Sequence, residues 1–390
     1  MFYAILIGVL TAAVSFLFNF LIENLINIIM FVNNSFSNIY YFPIVGGIIL
    51  GLINKYVITG NRDFEIIAIE EEISDIDHQF LSYRSVIAKT IASIISLSFG
   101  FSLGKQGTII YVGGAIGSFL GFGLKLPKDD IKTYIGCGVA GMISGVFGLK
   151  LLGVVLVGEV IIKKMNLRRI FLTLITVGTT HLVISLFGND RIFVTSFING
   201  AEAVNFNILY IILFGITAAG VTIMYNRSII GFSKEILNRW PFITSVINGI
   251  IVFLVGSHMN EIYTLHFQSF KELLTTDNTV QFLILFLFVK IIITGISYNF
   301  GGYGGVFLPG IMVGAVLGKI FFLTTGYASL DMSIILGISA VFTGFSGGPI
   351  SGAVLGYELS GYNMEMIFPL IFINYICYFI IKKTNTKFLY

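Results

Sequence analysis

Two short glycine-rich segments interrupt an otherwise apolar chain, and their residue types suit the binding of an anion. The first is GKQGT at residues 104–108, and the second is GGYGGVFLPG at residues 301–310. Each lies between apolar stretches, so each is predicted to be a break after which a new helix starts. The first N–H groups of a helix are unpaired and carry partial positive charge, which favours anions over cations. The predicted anion-binding residues are Gly104, Lys105, Gln106, Gly107, Gly305, Val306 and Phe307.

The elements that must position these segments are membrane helices. Hydrophobic residues make up 56% of the chain and charged residues 11%, whereas a soluble domain carries about 25% charged residues. Long apolar runs without alternation exclude a β-barrel. Several runs are shorter than the roughly 20 residues that span a bilayer. The sequence therefore predicts an all-α, multi-pass protein of the cell membrane in which some helices cross only part of the bilayer.

The two halves of the chain resemble each other. Glycines at 104, 107, 113, 117 and 121 each meet a glycine 197 positions later, and GVVLVGE at 153–159 matches GAVLGYE at 352–358. Chance matching among 44 glycines is the alternative explanation. Internal duplication is typical of transporters that bind substrate near the midplane between broken helices. We predict one transmembrane transport domain, residues 1–390, with one repeat at about 1–190 and the other at about 200–390.

Other kinds of site are disfavoured by the sequence. GFSLGK at 100–105 resembles a phosphate-binding loop, but it is one residue short and Gln106 stands where Ser or Thr would bind Mg²⁺. The histidines have no metal-ligand spacing, and Cys137 and Cys377 lie in apolar runs. A net charge of +3 is too small to indicate nucleic acid. No metal, cofactor or enzymatic activity is expected, and residues 70–84 are predicted to be a solvated loop or helix end.

The two glycine-rich segments resemble those of the CLC family of chloride channels and chloride/proton antiporters. GKQGT is similar to the family's Gly-Lys/Arg-Glu-Gly-Pro segment, and GVFLP at 305–309 matches its Gly-x-Phe-x-Pro segment. Residues 346–372 resemble the family's segment late in the second repeat. The resemblance covers most of residues 45–390. It implies a homodimer with one pore per subunit, built from inverted-topology repeats of tilted, partly discontinuous helices.

Two further anion-binding positions follow from the resemblance alone. The family's Gly-Ser-Gly-Ile-Pro segment is degraded here, and GNRDF at 60–64 is the best candidate, with Asn61 near the family's serine. An ordinary loop residue is the alternative interpretation of Asn61. An ungapped count from Pro369 puts Tyr390 at the family's central tyrosine, whose hydroxyl faces the anion.

Gln106 stands where the family has its gating glutamate. That glutamate competes with the anion when ionised and moves away or carries a proton when neutral. Glutamine is a nearly isosteric neutral mimic whose amide does not titrate. Gln106 is either the natural residue or an engineered Glu→Gln substitution. In both cases the resemblance implies a gate that is uncoupled from protons or held in one conformation.

The family's antiporters use an internal glutamate to transfer protons. The alignment gives Glu159 followed by Val160 where antiporters often have two glutamates. Glu159 is therefore the candidate for the proton pathway. The alternative is that Glu159 and its repeat counterpart Glu358 hold helix ends.

The resemblance implies CLC-type transport of a monovalent halide, with H⁺ as a further substrate if the chain is an antiporter. Thr108 in place of proline and the degraded serine segment are similar to the fluoride-exporting branch, whereas intact GVFLP fits the chloride branch. A fluoride/proton antiporter with an engineered gate is one alternative. A membrane scaffold that binds an anion without transporting it is another.

Overall fold

The computed structural model describes residues 1–36, 41–58, 65–76, 79, 81–163, 165–186, 207–231, 235–263 and 267–389. Asn61 and Tyr390 lie outside these residues. Within them the secondary structure is helical, which confirms the all-α prediction. In a bilayer, helices satisfy the backbone N–H and C=O groups that lipid cannot.

The first half of the chain contains eight α-helices in the described residues. They are α1 Phe2–Phe36, α2 Phe42–Tyr56, α3 Glu65–Ser74, α4 Tyr83–Ser98, α5 Gln106–Gly123, α6 Lys128–Phe147, α7 Lys150–Leu156 and α8 Leu167–Leu186. A π-helical turn, Val157–Ile161, continues α7.

The second half contains nine α-helices in the described residues. They are α9 Ile208–Ile230, α10 Glu235–Arg239, α11 Pro241–Gly256, α12 Phe267–Thr275, α13 Val280–Asn299, α14 Phe307–Thr325, α15 Leu330–Ser346, α16 Pro349–Leu359 and α17 Ile367–Lys383.

Only some of these helices match the full thickness of a bilayer. Among the described residues, six segments are long and apolar enough to cross it: Phe2–Val32, Leu167–Leu186, Ile208–Ile230, Val280–Asn299, Phe307–Thr325 and Met364–Lys383. The apolar helices Phe42–Tyr56, Pro241–Gly256 and Leu330–Ser346 are shorter. This mixture agrees with the prediction of a multi-pass membrane protein with partial crossings.

The first helix, Phe2–Phe36, extends well beyond the apolar stretch of the sequence at 3–22. It continues to Phe36 because Glu23, Asn24 and Asn27 interrupt the apolar run without interrupting the backbone ladder. Hydropathy depends on side chains, whereas the helix is held by main-chain hydrogen bonds. The apolar stretch is therefore shorter than the helix.

The helices of the two halves pack in matching pairs. Helix α5 packs on α6 as α14 packs on α15, and α1 packs on α8 as α9 packs on α17. Helices α3 and α12 contact α5 and α14 in the same way, and α7 contacts α16 across the two halves. The exact repeat boundaries stay a prediction.

Glycines let these pairs approach closely, and the structurally equivalent ones on α5 and α14 are 201 positions apart, one helical turn more than the offset of 197 predicted from the sequence. A methyl group on Gly113 of α5 would lie 2.5 Å from the carbonyl oxygen of Gly138 on α6. One on Gly314 of α14 would lie 2.6 Å from the carbonyl oxygen of Gly337 on α15. The small-residue spacing therefore has a packing role in both halves.

The polar stretch at 70–84 is less solvated than predicted. Residues 70–74 belong to α3, and the Glu72 side chain is fully buried. Its carboxylate accepts from the backbone N–H of Leu81 at 3.1 Å and from the Ser118 hydroxyl on α5. The prediction was wrong for Glu72 because charge alone does not reveal hydrogen-bond donors supplied by a distant helix.

Candidate functional site

The two glycine-rich segments meet at one point in the structure. Gly104 donates its N–H to the carbonyl of Gly305 at 2.6 Å, and Gly305 donates its N–H to the carbonyl of Gly104 at 2.5 Å. This antiparallel bridge joins the two halves of the chain. Helix α5 begins at Gln106 and α14 begins at Phe307, so two helix starts lie on either side of the bridge.

The bridge requires glycine at both positions. A Cβ atom on Gly104 would lie 2.7 Å from Cβ of Leu308 and 3.1 Å from its backbone nitrogen. A Cβ atom on Gly305 would strike the backbone nitrogen of Gly107. The neighbouring Gly301 has φ +89°, a conformation that side chains with a Cβ rarely adopt.

The Gln106 side chain lies at the start of α14 and is 1% exposed. Two backbone N–H donors face its amide, so the amide oxygen is turned towards them. In that orientation Oε1 accepts from Leu308 at 2.9 Å and from Phe307 at 3.2 Å. These N–H groups are the unpaired donors of the helix terminus that suit an anion. A neutral amide oxygen thus accepts from donors of the kind that the sequence predicts for an anion.

Lys105 places a buried positive charge beside the bridge. Its side chain is 6% exposed, and Nζ donates to Oδ1 of Asn19 on α1 at 2.9 Å. The ammonium group is therefore anchored on α1, while the neighbouring Gln106 turns towards α14.

Aromatic rings surround the start of α14. The Phe307 ring is buried, with its centroid 5.7 Å from that of Phe147, 5.0 Å from Phe342 and 6.1 Å from Phe345. The hydroxyl of the buried Tyr225 donates to the carbonyl of Val306. Such a low-dielectric wall strengthens each hydrogen bond made inside it.

Tyr225 was not identified from the sequence. It lies on α9 just after an apolar run, and its only signal was a hydroxyl-bearing ring inside a membrane helix, which Tyr210 of the same helix shares. A buried tyrosine hydroxyl needs a hydrogen-bond partner, but the sequence does not show that the partner is the carbonyl preceding α14.

The segment before α14 is anchored on helices of the first half. The N–H of Tyr303 donates to the Ser96 hydroxyl on α4 at 2.9 Å. The Tyr303 hydroxyl donates to Oδ1 of Asn54 on α2 at 2.9 Å, and Nδ2 of Asn54 donates to the carbonyl of Gly301 at 2.9 Å. These bonds fix the loop that presents Gly305 to Gly104.

Glu159 caps a helix of the opposite half. Its carboxylate accepts from the N–H of Ile350 at 3.0 Å and from the N–H and hydroxyl of Ser351 at 2.7 and 2.6 Å. These donors lie in the first turn of α16. The contacts agree with the alternative that Glu159 holds a helix end, and its role in a proton pathway stays a prediction.

Glu358 makes the reciprocal cap on α7. Its carboxylate accepts from the N–H groups of Lys150, Leu151 and Leu152 at 2.8, 3.0 and 2.9 Å. Each half thus supplies one carboxylate to a helix start of the other half, where negative charge is favourable.

We expect Glu358→Gln to lower the thermal stability of the protein. The amide keeps one acceptor but loses the charge, and hydrogen bonds to charged groups contribute about 1.5–3 kcal/mol each. The apparent unfolding midpoint in detergent should fall for Glu358→Gln and stay unchanged for the exposed control Glu365→Gln. Equal midpoints for the two variants would contradict the capping role.

The last described residues return to the aromatic wall. The N–H of Leu389 donates to the carbonyl of Phe345 at 2.7 Å, and the Phe388 ring stacks on that of Tyr378 at 5.6 Å. The segment that precedes Tyr390 therefore lies at the end of α15. The roles of Asn61 and Tyr390 stay predictions.

No group of three or more potential metal ligands occurs among the described residues. Cys137 and Cys377 are both buried and free.

Known proteins share both the sequence pattern and the fold. The family model described as voltage gated chloride channel matches residues 56–382. The H⁺/Cl⁻ exchange transporter ClcA of Yersinia pestis is 23% identical over 309 residues, which are 74% of this chain and 63% of that protein.

Two solved structures superimpose on nearly the whole chain. A slow cyanobacterial Cl⁻/H⁺ antiporter gives a TM-score of 0.82 with 17% identity, covering 99% of this chain and 95% of that one. A CLC-type fluoride/proton antiporter gives 0.81 with 19% identity, covering 97% and 94%. These similarities establish the fold, and the match over residues 56–382 shows that the chain belongs to the voltage-gated chloride channel (CLC) family.

Proposed function

We propose that this chain moves a monovalent halide across the membrane past the Gly104–Gly305 bridge, with Gln106 as the gate. The observation that carries the proposal is that the side-chain amide of Gln106 lies 2.9 Å and 3.2 Å from the backbone nitrogens of Leu308 and Phe307, two donors that assign its oxygen to this position. These donors suit a dehydrated anion because they are fixed in direction and surrounded by aromatic rings. A halide enters this position when the side chain moves out.

The chemistry of the amide determines how this gate responds. An ionised carboxylate at position 106 would compete with the anion for the same donors, and protonation would release it. The amide of Gln106 accepts hydrogen bonds but does not titrate. We infer that halide movement in this form is uncoupled from protons or that the gate is held in one conformation.

Because Gln106 does not titrate, any coupling of halide movement to proton movement must use another residue. The relatives include proteins described as H⁺/Cl⁻, Cl⁻/H⁺ and fluoride/proton exchangers. Glu159 is the residue proposed for such a pathway here. Its three hydrogen bonds to α16 mean that carrying a proton would weaken a helix cap.

Fluoride is a second candidate substrate. The chloride/proton and fluoride/proton antiporter structures fit the chain almost equally well, at TM-scores of 0.82 and 0.81. Thr108 follows the gate motif where the chloride branch has proline, which favours the fluoride branch. This alternative is a fluoride/proton antiporter whose gating glutamate has been replaced by Gln106.

Halide efflux from proteoliposomes tests the proposed function. Vesicles loaded with Cl⁻ or F⁻ should release one or both ions faster than protein-free vesicles, as followed with two ion-selective electrodes on one preparation. Release of neither ion above the protein-free leak would contradict transport. Halide binding by calorimetry without release would instead favour an anion-binding scaffold.

We also propose a homodimer in the lipid bilayer with one pore per subunit. This assembly rests on the family resemblance.

A further inference from the structure

Two hydrogen bonds cross between the halves of the chain beside the bridge that joins the glycine-rich segments. The N–H of Ser102, two residues before the bridge, donates to the Ser297 hydroxyl on α13 at 3.3 Å. The N–H of Tyr303, two residues before the bridge on the other side, donates to the Ser96 hydroxyl on α4 at 2.9 Å. Each glycine-rich segment is therefore held by a helix of the opposite half.

The internal repeat relates these two hydrogen bonds to each other. The acceptors Ser96 and Ser297 are 201 positions apart in the chain. The donors Ser102 and Tyr303 have the same separation, and so do the two glycines of the bridge. Equivalent residues of the two halves thus exchange the same contact across the centre of the molecule, where duplicated transporters bind their substrate.

Burial makes both serine hydroxyls necessary for the segments that they hold. Ser96, Ser102 and Ser297 are 0% exposed, and Tyr303 is 4% exposed. A buried backbone N–H group that loses its acceptor is strongly unfavourable because water does not replace the partner. The Ser96 hydroxyl donates in turn to the carbonyl of Ala92 at 2.9 Å, so its oxygen is oriented as an acceptor for Tyr303.

Two pairs of hydroxyl groups add to the hold on the first glycine-rich segment. The Ser102 hydroxyl hydrogen-bonds with that of Thr294 on α13 at 2.9 Å. The Thr108 hydroxyl, in the first turn of α5, hydrogen-bonds with that of Ser93 on α4. The main chain is thus fixed on α13 before Gln106 and on α4 after it.

We propose that Ser96 and Ser297 are positioning residues that determine halide specificity, because they fix the separation of the backbone N–H donors at the starts of α5 and α14. The inference rests on the proposed function and deepens it. Donors held at one separation fit one anion radius better than another, whereas donors that can shift adapt to both. Chloride and fluoride differ in radius, so the two serines act on the choice between them through the glycine-rich segments.

Hydrogen–deuterium exchange of the purified protein in detergent tests the crosswise hold. Ser297→Ala should speed exchange of the Ser102 amide at least about fivefold and leave that of Tyr303 near wild type, as expected for the loss of one hydrogen bond. Ser96→Ala should do the reverse, so each variant is the control for the other. Equal changes at both amides, or no change at either, would overturn the crosswise hold.

Halide efflux from proteoliposomes tests the role in specificity. In Ser96→Ala and in Ser297→Ala, the ratio of the KM for Cl⁻ to the KM for F⁻ should move towards one by about fivefold. A general loss of structure would instead lower the amount of active protein and leave this ratio unchanged. Ser297→Thr keeps the hydroxyl and should retain the wild-type ratio. A wild-type ratio in both alanine variants would overturn the role in specificity.

Ser98 provides the matched control for both measurements. It is the last residue of α4 and is buried, but its hydroxyl has no hydrogen-bond partner among the described residues. Ser98→Ala should therefore keep the wild-type amide exchange and both KM values, and a shift of the KM ratio in this variant would contradict the assignment to Ser96 and Ser297. If wild type releases neither halide, the proposed function fails, while amide exchange still decides whether the two serines hold the segments.

Discussion

Gln106→Glu is expected to slow halide efflux about tenfold at neutral pH and to restore it as the pH falls. An ionised carboxylate at this position would accept from the N–H groups of Phe307 and Leu308, which now hold the amide oxygen. Hydrogen bonds to an ionised acceptor are about twice as strong as neutral ones, so the carboxylate would compete better with the halide.

The pH dependence follows from the protonation of that carboxylate. An unperturbed glutamate has a pKa of about 4.3. The ionised form blocks the site above its pKa, so the block is lost as pH falls through that value. Wild type, with an amide, should show no such recovery, and new coupling between proton and halide movement is expected in the variant.

Efflux measured between about pH 3.5 and 8, a range that spans the glutamate pKa, with equal pH on both sides provides the comparison for Gln106→Glu. Gln281→Glu, at an exposed position near the start of α13, is the matched control and should behave like wild type. If efflux is indifferent both to Gln106→Glu and to pH, Gln106 is not at the gate.

Gly305→Ala should reduce halide efflux more than any change on the protein surface. The new Cβ would meet the backbone nitrogen of Gly107 and lie 3.2 Å from its Cα, and neither atom can move without shifting α5. The bridge between Gly104 and Gly305 would therefore open, and the N–H donors at the start of α14 would be displaced. We expect a loss of at least about tenfold, because a shift of about 1 Å in a positioned site costs up to about 100-fold.

A second glycine separates this effect from a general cost of adding a methyl group. Gly178 lies within α8 with nothing within 4 Å of its would-be Cβ, so Gly178→Ala should retain efflux and stability. Alanine is the better helix former by about 0.5–1 kcal/mol. Both variants should elute as monodisperse protein in detergent, and wild-type efflux by folded Gly305→Ala would show that the bridge is not part of the pathway.

The main architecture could be predicted because it depends on properties that each segment carries locally. Apolar runs without alternation indicated membrane helices, and the glycine-rich breaks at 104–108 and 301–310 indicated that a new helix starts at each. The internal repeat pointed to a binding site between broken helices of the two halves. In the structure the two segments meet through the two backbone hydrogen bonds between Gly104 and Gly305.

The remaining features depend on contacts between distant parts of the chain. No local pattern shows that Glu358 meets the start of α7 or that Tyr225 meets the carbonyl of Val306. Glu72 is a further example, because a charged residue in a polar stretch is expected to face water, whereas this side chain is buried. Its partners at Leu81 and Ser118 become visible only once α3 has packed on α5.

Halide binding to Gln106→Ala and to wild type tests the central claim most directly. Removing the amide leaves the N–H groups of Phe307 and Leu308 without the oxygen that now fills their site. Isothermal titration calorimetry with Cl⁻ and with F⁻ should therefore show at least about tenfold tighter binding of one halide to Gln106→Ala, a difference of about 1.4 kcal/mol. Equal affinities of the two proteins for both halides would contradict the assignment of the Gln106 amide to the anion site.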